Sequence, residues 1–467
     1  MAILVRIEAV DFDASITDAN DLSMRRGAGL ANLIAPRSLA IRYAKDARLK
    51  LTEDDIVMAG ASICLFWLDS PEEPDAVAAA ILALAHNPTV NAAAAPEDKN
   101  QTDLTLNSVE SALWRDLAPV LPFLRFAVAA VEADPGRGNH QAKRLRLLAA
   151  VRLQQLQTPS VVPPKPVPNA WKRCKVNPNL PAAPGSDYSP SVAARRKYGL
   201  SQKQALYDNP ALGIAYSMPD DARFANDLED LVWAKPGWVR HQIANKVAHV
   251  YLDGNNFTKI REALIADAKV TLAMEREFSQ KVTGWRGGML REWLTTLNDW
   301  SEQPMYAAAG GSAREGEDVI FRFETLLWGG DEAAFVLPAW AVPKLLETMA
   351  RTLKPCPTDE RWILGGQGLT HKVGIFITDR KTPIALARKV AEALANSAKV
   401  PFENAPAVPN VAQIMVSESV EPPLDIDAMN KDALARYREY RYCEGDPRFY
   451  QAVDEVCPGR IGLGLIL

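Results

Sequence analysis

Apolar and polar positions alternate over residues 3–13 (Ile-Leu-Val-Arg-Ile-Glu-Ala-Val-Asp-Phe-Asp), the period of a strand. Residues 21–47 mix apolar and basic positions with helical spacing, and Pro36 predicts an interruption there. Residues 56–68 read as two strands around a small-residue turn, and 74–86 as an Ala-rich helix. A polar loop is expected at 92–106, then a strand at 124–133 that stops at Asp134-Pro-Gly-Arg-Gly-Asn. A basic amphipathic helix follows at 140–157. The pattern then comes a second time: strand 247–253, helices 257–300, hairpin 318–338, helix 341–353, strand 369–378 and helix 382–398.

Strand, helix, hairpin, helix, strand is the order of a ferredoxin-like unit. The chain is therefore expected to be α+β, with an internal duplication: one ferredoxin-like domain at 1–158 and another at 243–400. Between them, residues 158–190 hold nine prolines, so Pro163-Pro164-Lys-Pro166-Val-Pro168 should be extended and semi-rigid. Pro190 then opens a basic helix containing Arg195-Arg196-Lys197, which makes 159–242 a Pro-rich, helical connector. The remainder, 401–467, is expected as a tail: Pro-punctuated loop over 400–423, a charged helix at 427–441, and a short end.

Composition narrows the function classes. A net charge of −4 gives no global basic field of the kind a DNA-binding chain carries, so any nucleic-acid surface must be local. The five cysteines (Cys64, Cys174, Cys356, Cys443, Cys457) form no CxxC pair, which argues against a disulfide framework or a Cys-rich zinc site. No run approaches the ~18 apolar residues of a membrane-spanning helix. A cytoplasmic chain without a membrane role is expected.

Two stretches carry the candidate chemistry. In His249-Val-Tyr-Leu-Asp253-Gly-Asn-Asn-Phe257-Thr-Lys259-Ile an apolar strand ends on a carboxylate. In Leu326-Leu-Trp-Gly329-Gly330-Asp331-Glu332 a strand runs into a Gly-Gly turn with two carboxylates at its tip. Gly-Gly suits a tight hairpin because both residues take positive φ at little steric cost. If these strands are neighbours, Asp253 and Asp331 converge and repel unless a cation lies between them. Hard oxygen donors with room for phosphates favour Mg²⁺ or Mn²⁺. In the first half, Ala59-Gly60-Ala61-Ser62 stands at the place of Gly329-Gly330-Asp331-Glu332: it keeps the turn and lacks the carboxylates.

These motifs resemble the palm core of nucleotide cyclases and polymerases, nearest the GGDEF-type cyclases and the large polymerase-like subunit of type III CRISPR effector complexes. The resemblance implies that Asp253 and Asp331 hold metal, with the Gly254 carbonyl as a further ligand and Glu332 as ligand or base. Asp253-Gly-Asn-Asn256-Phe257-Thr-Lys259-Ile is similar to the cyclase pattern Asp-x-Asp-x-Phe-Lys-x-Ile, with Asn255-Asn256 where that pattern has Asp-x and with Lys259 one place after its Lys. Phe257 would then pack under the nucleotide-binding turn formed by Gly329 and Gly330, and Lys259 would open a helix near the triphosphate. The closing Asn396-Ser-Ala398-Lys399 resembles the Ala-Lys of the same families, whose lysine reaches the β- and γ-phosphates.

The resemblance implies a metal-dependent nucleotidyltransferase that makes cyclic nucleotides or oligonucleotides from NTPs, ATP foremost. Its partners would be the NTP substrate, RNA or CRISPR-type effector subunits, and a further copy of the chain in a homo-oligomer. A second reading stays open: an inactive palm scaffold that binds RNA or a protein. For the single motifs, simpler readings also stand: a plain hairpin turn, a helix-capping Asp253, and solvated Lys259 and Lys399. Asp11 and Asp13 could bind metal in the first half. Arg25-Arg26 and Arg195-Arg196-Lys197 would either line solvated helix faces or touch phosphate.

Overall fold

The alternation at the start of the chain becomes β1 (Ala2–Ala9), and the three runs expected after it become β2 (Ile56–Gly60), β3 (Ile63–Asp69) and β4 (Phe126–Glu132). They form one sheet in the order β2-β3-β1-β4, antiparallel throughout. The computed structural model describes residues 1–11, 21–60, 62–88, 108–133, 140–159, 172–208, 212–218, 222–232, 243–255, 257, 259–260, 271–301, 319–353, 369–398, 410–417 and 460–466. The expected loop at 92–106 lies outside them. The chain divides into two units, Met1–Gly213 with Thr258–Arg286 and Trp328–Gly330, and Ile214–Phe257 with Gly287–Leu327 and Asp331–Leu467.

In the first unit, the helix Leu22–Asp46 runs without a break through Pro36, contrary to the interruption expected there. Proline removes one helical hydrogen bond, but this helix is buried along nearly its whole length, with Ala35, Leu39 and Ala40 fully inaccessible. Asp21 caps its start, accepting from the Met24 amide at 2.8 Å. The helix Pro190–Ser201 crosses it so closely that a Cβ on Gly27 would stand 1.8 Å from the Arg195 carbonyl oxygen.

In the second unit, β5 (Ala222–Phe224) and β7 (Val319–Phe321) pair in parallel as a separate ribbon. The larger sheet contains β6 (Lys246–Asn255), β8 (Glu324–Gly329), β9 (Glu332–Pro338), β10 (Thr370–Asp379), β11 (Val411–Ser417) and β12 (Arg460–Ile466), in the order β12-β11-β10-β6-β9-β8. With β11 and β12 set aside, both sheets share one order when strands are counted along the chain: fourth, first, third, second. Trp293 anchors the core, edge-on to Phe335 at 5.7 Å, with its indole N–H on Thr352 Oγ1 at 2.7 Å.

The C-terminal expectation needs correction. Residues 411–417 form a strand parallel to β10, and 460–466 form another antiparallel to it, where loop and a short end were expected. Val411-Ala-Gln-Ile-Met-Val has the apolar, β-branched character of a buried strand. The prolines just before it, Pro406 and Pro409, mark the entry to the strand and not a continuing loop. The expected helix at 427–441 lies outside the described residues. Among the described residues no helix is long and apolar enough to cross a membrane.

Candidate active site

β6 lies between β9 and β10, and this position makes the site. On one side, Asp253 pairs in register with Lys372 of β10. On the other, the ladder ends at Leu252↔Ala333, with Asp253 and Gly254 next along β6 and Glu332 and Asp331 next back along the hairpin. The strand positions that end on acid in the sequence are thus neighbours. Gly254 allows the approach: a Cβ there would stand 2.7 Å from the Asp331 Cβ and 2.2 Å from the Phe257 ring. In the turn before Asp331, Gly330 is left-handed at φ 53°, as expected of the Gly-Gly pair, whereas Gly329, the last residue of β8, is not.

Arg286 holds that turn. Its guanidinium donates to the Gly330 carbonyl and lies 4.6 Å from the centre of the Trp328 ring. Its side chain is 3% exposed as a residue, so the cation is committed to the turn. Arg286 sits in a helix with no motif around it. The one sequence signal was an arginine in the apolar stretch Trp285-Arg-Gly-Gly-Met-Leu.

The charge at Asp253 is matched from within the sheet. Lys372 Nζ lies 2.7 Å from Asp253 Oδ2, with Lys372 7% and Asp253 21% exposed at the side chain. The ammonium also donates to the Asn396 side-chain oxygen on the helix Ile384–Ala398. Tyr251, two residues before Asp253 and so on the same face, reports the field there. Burial pushes its phenol well up, and the charges of Glu332, Asp253 and Glu392 push it further, against Arg388. Arg388 lies 5.9 Å from the centre of that ring.

The other expected residues divide. Phe257 is buried and packs on the His371 ring at 5.6 Å, as a residue lining the strand end should. Lys259 is exposed at a helical position. Asn256, Lys399 and Asp13 lie outside the described residues. Asp11, at φ 47°, lines a cavity of about 490 Å³ with Glu8, Ser62 and Arg152. In that cavity Glu8 is paired to Arg6 at 2.7 Å and to Arg152 at 2.9 Å. Both readings of Arg25, Arg26 and Arg195, as a solvated face or as phosphate contacts, are overturned. All three are buried, and Arg26 donates to the Gly199 carbonyl at 3.0 Å.

Carboxylate oxygens and the Gly254 carbonyl are donors of the kind Mg²⁺ and Mn²⁺ take. Among the described residues, however, no three His, Cys, Asp or Glu side chains are gathered closely enough to hold a metal ion. The site as it stands presents two neighbouring acidic strand ends, one of them neutralised by a lysine.

No protein-family model and no curated protein matches the chain. Among solved structures, the chain is similar to Csm1 in the Csm1-Csm4 subcomplex of the type III-A CRISPR-Csm interference complex, at TM-score 0.50 and 13% identity over 91% of this chain and 55% of that one. It is also similar to Csm1 of T.onnurineus, at TM-score 0.46 and 14% identity over 91% and 54%. Csm1 in a Csm1-Csm4 cassette in complex with one ATP gives TM-score 0.49 and 13% identity over 94% and 58%. The chain thus spans a little over half the length of the solved chains it matches, and what it shares with Csm1 is the fold.

Proposed function

We propose that the chain is a metal-dependent nucleotidyltransferase that joins NTPs, ATP foremost, into cyclic nucleotides or cyclic oligonucleotides and releases pyrophosphate. The observation that carries this is the acidic end shared by β6 and β9, where Asp253 and Glu332 both act on Tyr251 and Asp331 approaches Gly254 from the opposite face of β6. The fold it shares with Csm1 supports the reading. So does the strand order common to the two sheets, which fits a duplicated palm whose first copy has lost its hairpin carboxylates.

Asp253, Asp331, Glu332 and the Gly254 carbonyl would hold Mg²⁺ or Mn²⁺. The bound metal would neutralise charge on the phosphates during transfer. The chain's own residues would do the rest. Gly329 and Gly330 would leave the backbone open for a triphosphate, and Lys259 and Lys399 would bind its β- and γ-oxygens. Glu332 would take the proton of the attacking 3′-hydroxyl as that oxygen bonds to the α-phosphorus and pyrophosphate leaves. The product would serve as a second messenger in a CRISPR-like defence system in the cytoplasm, with RNA or effector subunits as partners, and with self-association compatible with the scheme.

One observation favours a second reading, an inactive scaffold for RNA or protein: Lys372 already neutralises Asp253. Incubating the chain with each NTP and Mg²⁺ or Mn²⁺, followed by mass spectrometry, separates the two. The enzyme gives a nucleotide product that Asp331→Ala abolishes. A product unchanged in Asp331→Ala removes the assignment, and tight RNA binding with no product from any NTP supports the scaffold.

A further inference from the structure

Lys372 belongs to none of the motifs above, yet its ammonium lies 2.7 Å from Asp253. It sits on β10 within the sheet, buried, where an unpaired ammonium is costly. Two contacts compensate: Asp253 at 2.7 Å across the ladder, and the side-chain oxygen of Asn396 on the helix that covers this face. The register Lys372↔Asp253 is set by ten consecutive pairs between β6 and β10, so the backbone keeps the two residues side by side while the lysine stem leaves the ammonium able to turn. A carboxylate with a fixed ammonium on one oxygen offers a metal ion only the other oxygen, in a weakened field. A triphosphate arriving at the same strand end brings several negative charges and competes for that ammonium.

We propose that Lys372 is a built-in counter-ion that keeps divalent metal off Asp253 until a nucleotide arrives, so that metal and triphosphate bind together. The proposal rests on the reading of Asp253 as a metal ligand. Lys372 is a positioning residue here: it acts through Asp253, and on nucleotide binding its ammonium turns to a phosphate oxygen.

The test reads Mn²⁺ binding to the full chain, by the electron paramagnetic resonance signal of free Mn²⁺, with and without a non-hydrolysable ATP analogue. Without nucleotide, Lys372→Met is expected to tighten Mn²⁺ binding by about tenfold or more, the size of effect one fixed charge exerts on a neighbouring carboxylate. Lys372→Arg keeps the charge and should bind Mn²⁺ as weakly as the native chain. With the analogue present, the native chain should close most of the gap to Lys372→Met. Lys372→Gln, which removes the charge and keeps a polar group beside Asp253, should tighten Mn²⁺ binding in the same direction, and it stands in for Lys372→Met should that variant fail to fold. Equal Mn²⁺ affinity in native and Lys372→Met chains, with Asp253→Asn abolishing binding in both, overturns the counter-ion role and leaves the metal site standing. Mn²⁺ binding that is indifferent to Asp253→Asn in the Lys372→Met background removes the metal site, and the counter-ion role with it.

Discussion

Gly254 and Asp331 meet with no room for a methyl group between them: a Cβ on Gly254 would stand 2.7 Å from the Asp331 Cβ. The same atom would stand 2.2 Å from the Phe257 ring, so the strand end and the hairpin tip can close together only over a glycine. Gly254→Ala is expected to lose about 1–3 kcal/mol of stability, the usual cost of overpacking, and to lose nucleotide product as Asp331 is displaced. Urea unfolding and the product assay check the two halves of this expectation. An alanine variant of native stability would mean that the approach is looser than described.

Arg286 offers a test of the turn apart from its carboxylates. It donates to the Gly330 carbonyl and lies over Trp328. Lysine keeps the charge but lacks the planar fork that serves both contacts at once. Arg286→Lys and Arg286→Ala should therefore both lower product formation at least tenfold, while Asp253→Glu at the neighbouring strand would act through the site itself. A fully active Arg286→Lys would show that charge alone suffices at the turn.

Two glycines should respond in opposite directions. A Cβ on Gly374 would stand 1.8 Å from the Ala391 carbonyl oxygen, so Gly374→Ala must push the helix Ile384–Ala398 off β10 and should cost about 3 kcal/mol, at the top of the overpacking range. A Cβ on Gly288 would meet nothing within 4 Å, inside the helix Leu272–Ser301. Gly288→Ala should add about 0.5–1 kcal/mol, since alanine loses less backbone freedom in a helix. Thermal unfolding of both variants against the native chain measures the contrast.

Asp230 should contribute to the acid sensitivity of the second unit. Burial acts to raise its carboxyl, but hydrogen bonds from Arg223 at 2.7 Å and from the Asn226 amide at 3.0 Å outweigh burial and hold it below the usual range. A depressed folded-state pKa gives stability that is present above the unfolded value of about 3.9 and lost as pH falls through the folded value. The gap in urea midpoint between the native chain and Asp230→Asn should be full at pH 6 and shrink steadily below pH 4. A gap that stays constant through that range would show that the pairing with Arg223 carries no stability.

Much of this was legible in the sequence because it lies in short-range patterns. The strands carrying Asp253 and entering Gly329-Gly330 followed from alternation and turn chemistry; both are present, the first running two residues past Asp253 to Asn255. Lys372 was not legible: its role depends on β10 lying beside β6 in a register that pairs it with Asp253, a relation between residues far apart in the chain. Arg286 was missed for the same reason, since its partner Gly330 lies 44 residues away. Pro36 misled because a local rule was applied where packing prevails, and Arg25 and Arg26 misled because charge was taken for exposure. β11 was hidden by the prolines ahead of it, which signal a loop up to the residue where the strand begins.

The parallel seam between β10 and β11 sets where the chain can be cut. A fragment ending near residue 400, the boundary that the repeat pattern suggests, would strip a neighbour from the strand carrying Lys372 and leave its amides and carbonyls open along one side. A bare edge of that kind recruits other chains, and such a fragment should precipitate or pair with itself. A cut after Ser417 would bare β11 in turn, so a usable excised piece has to carry on through β12 at Ile466, and the last stretch of sequence, which looks dispensable on paper, seals the sheet that bears the acidic pair.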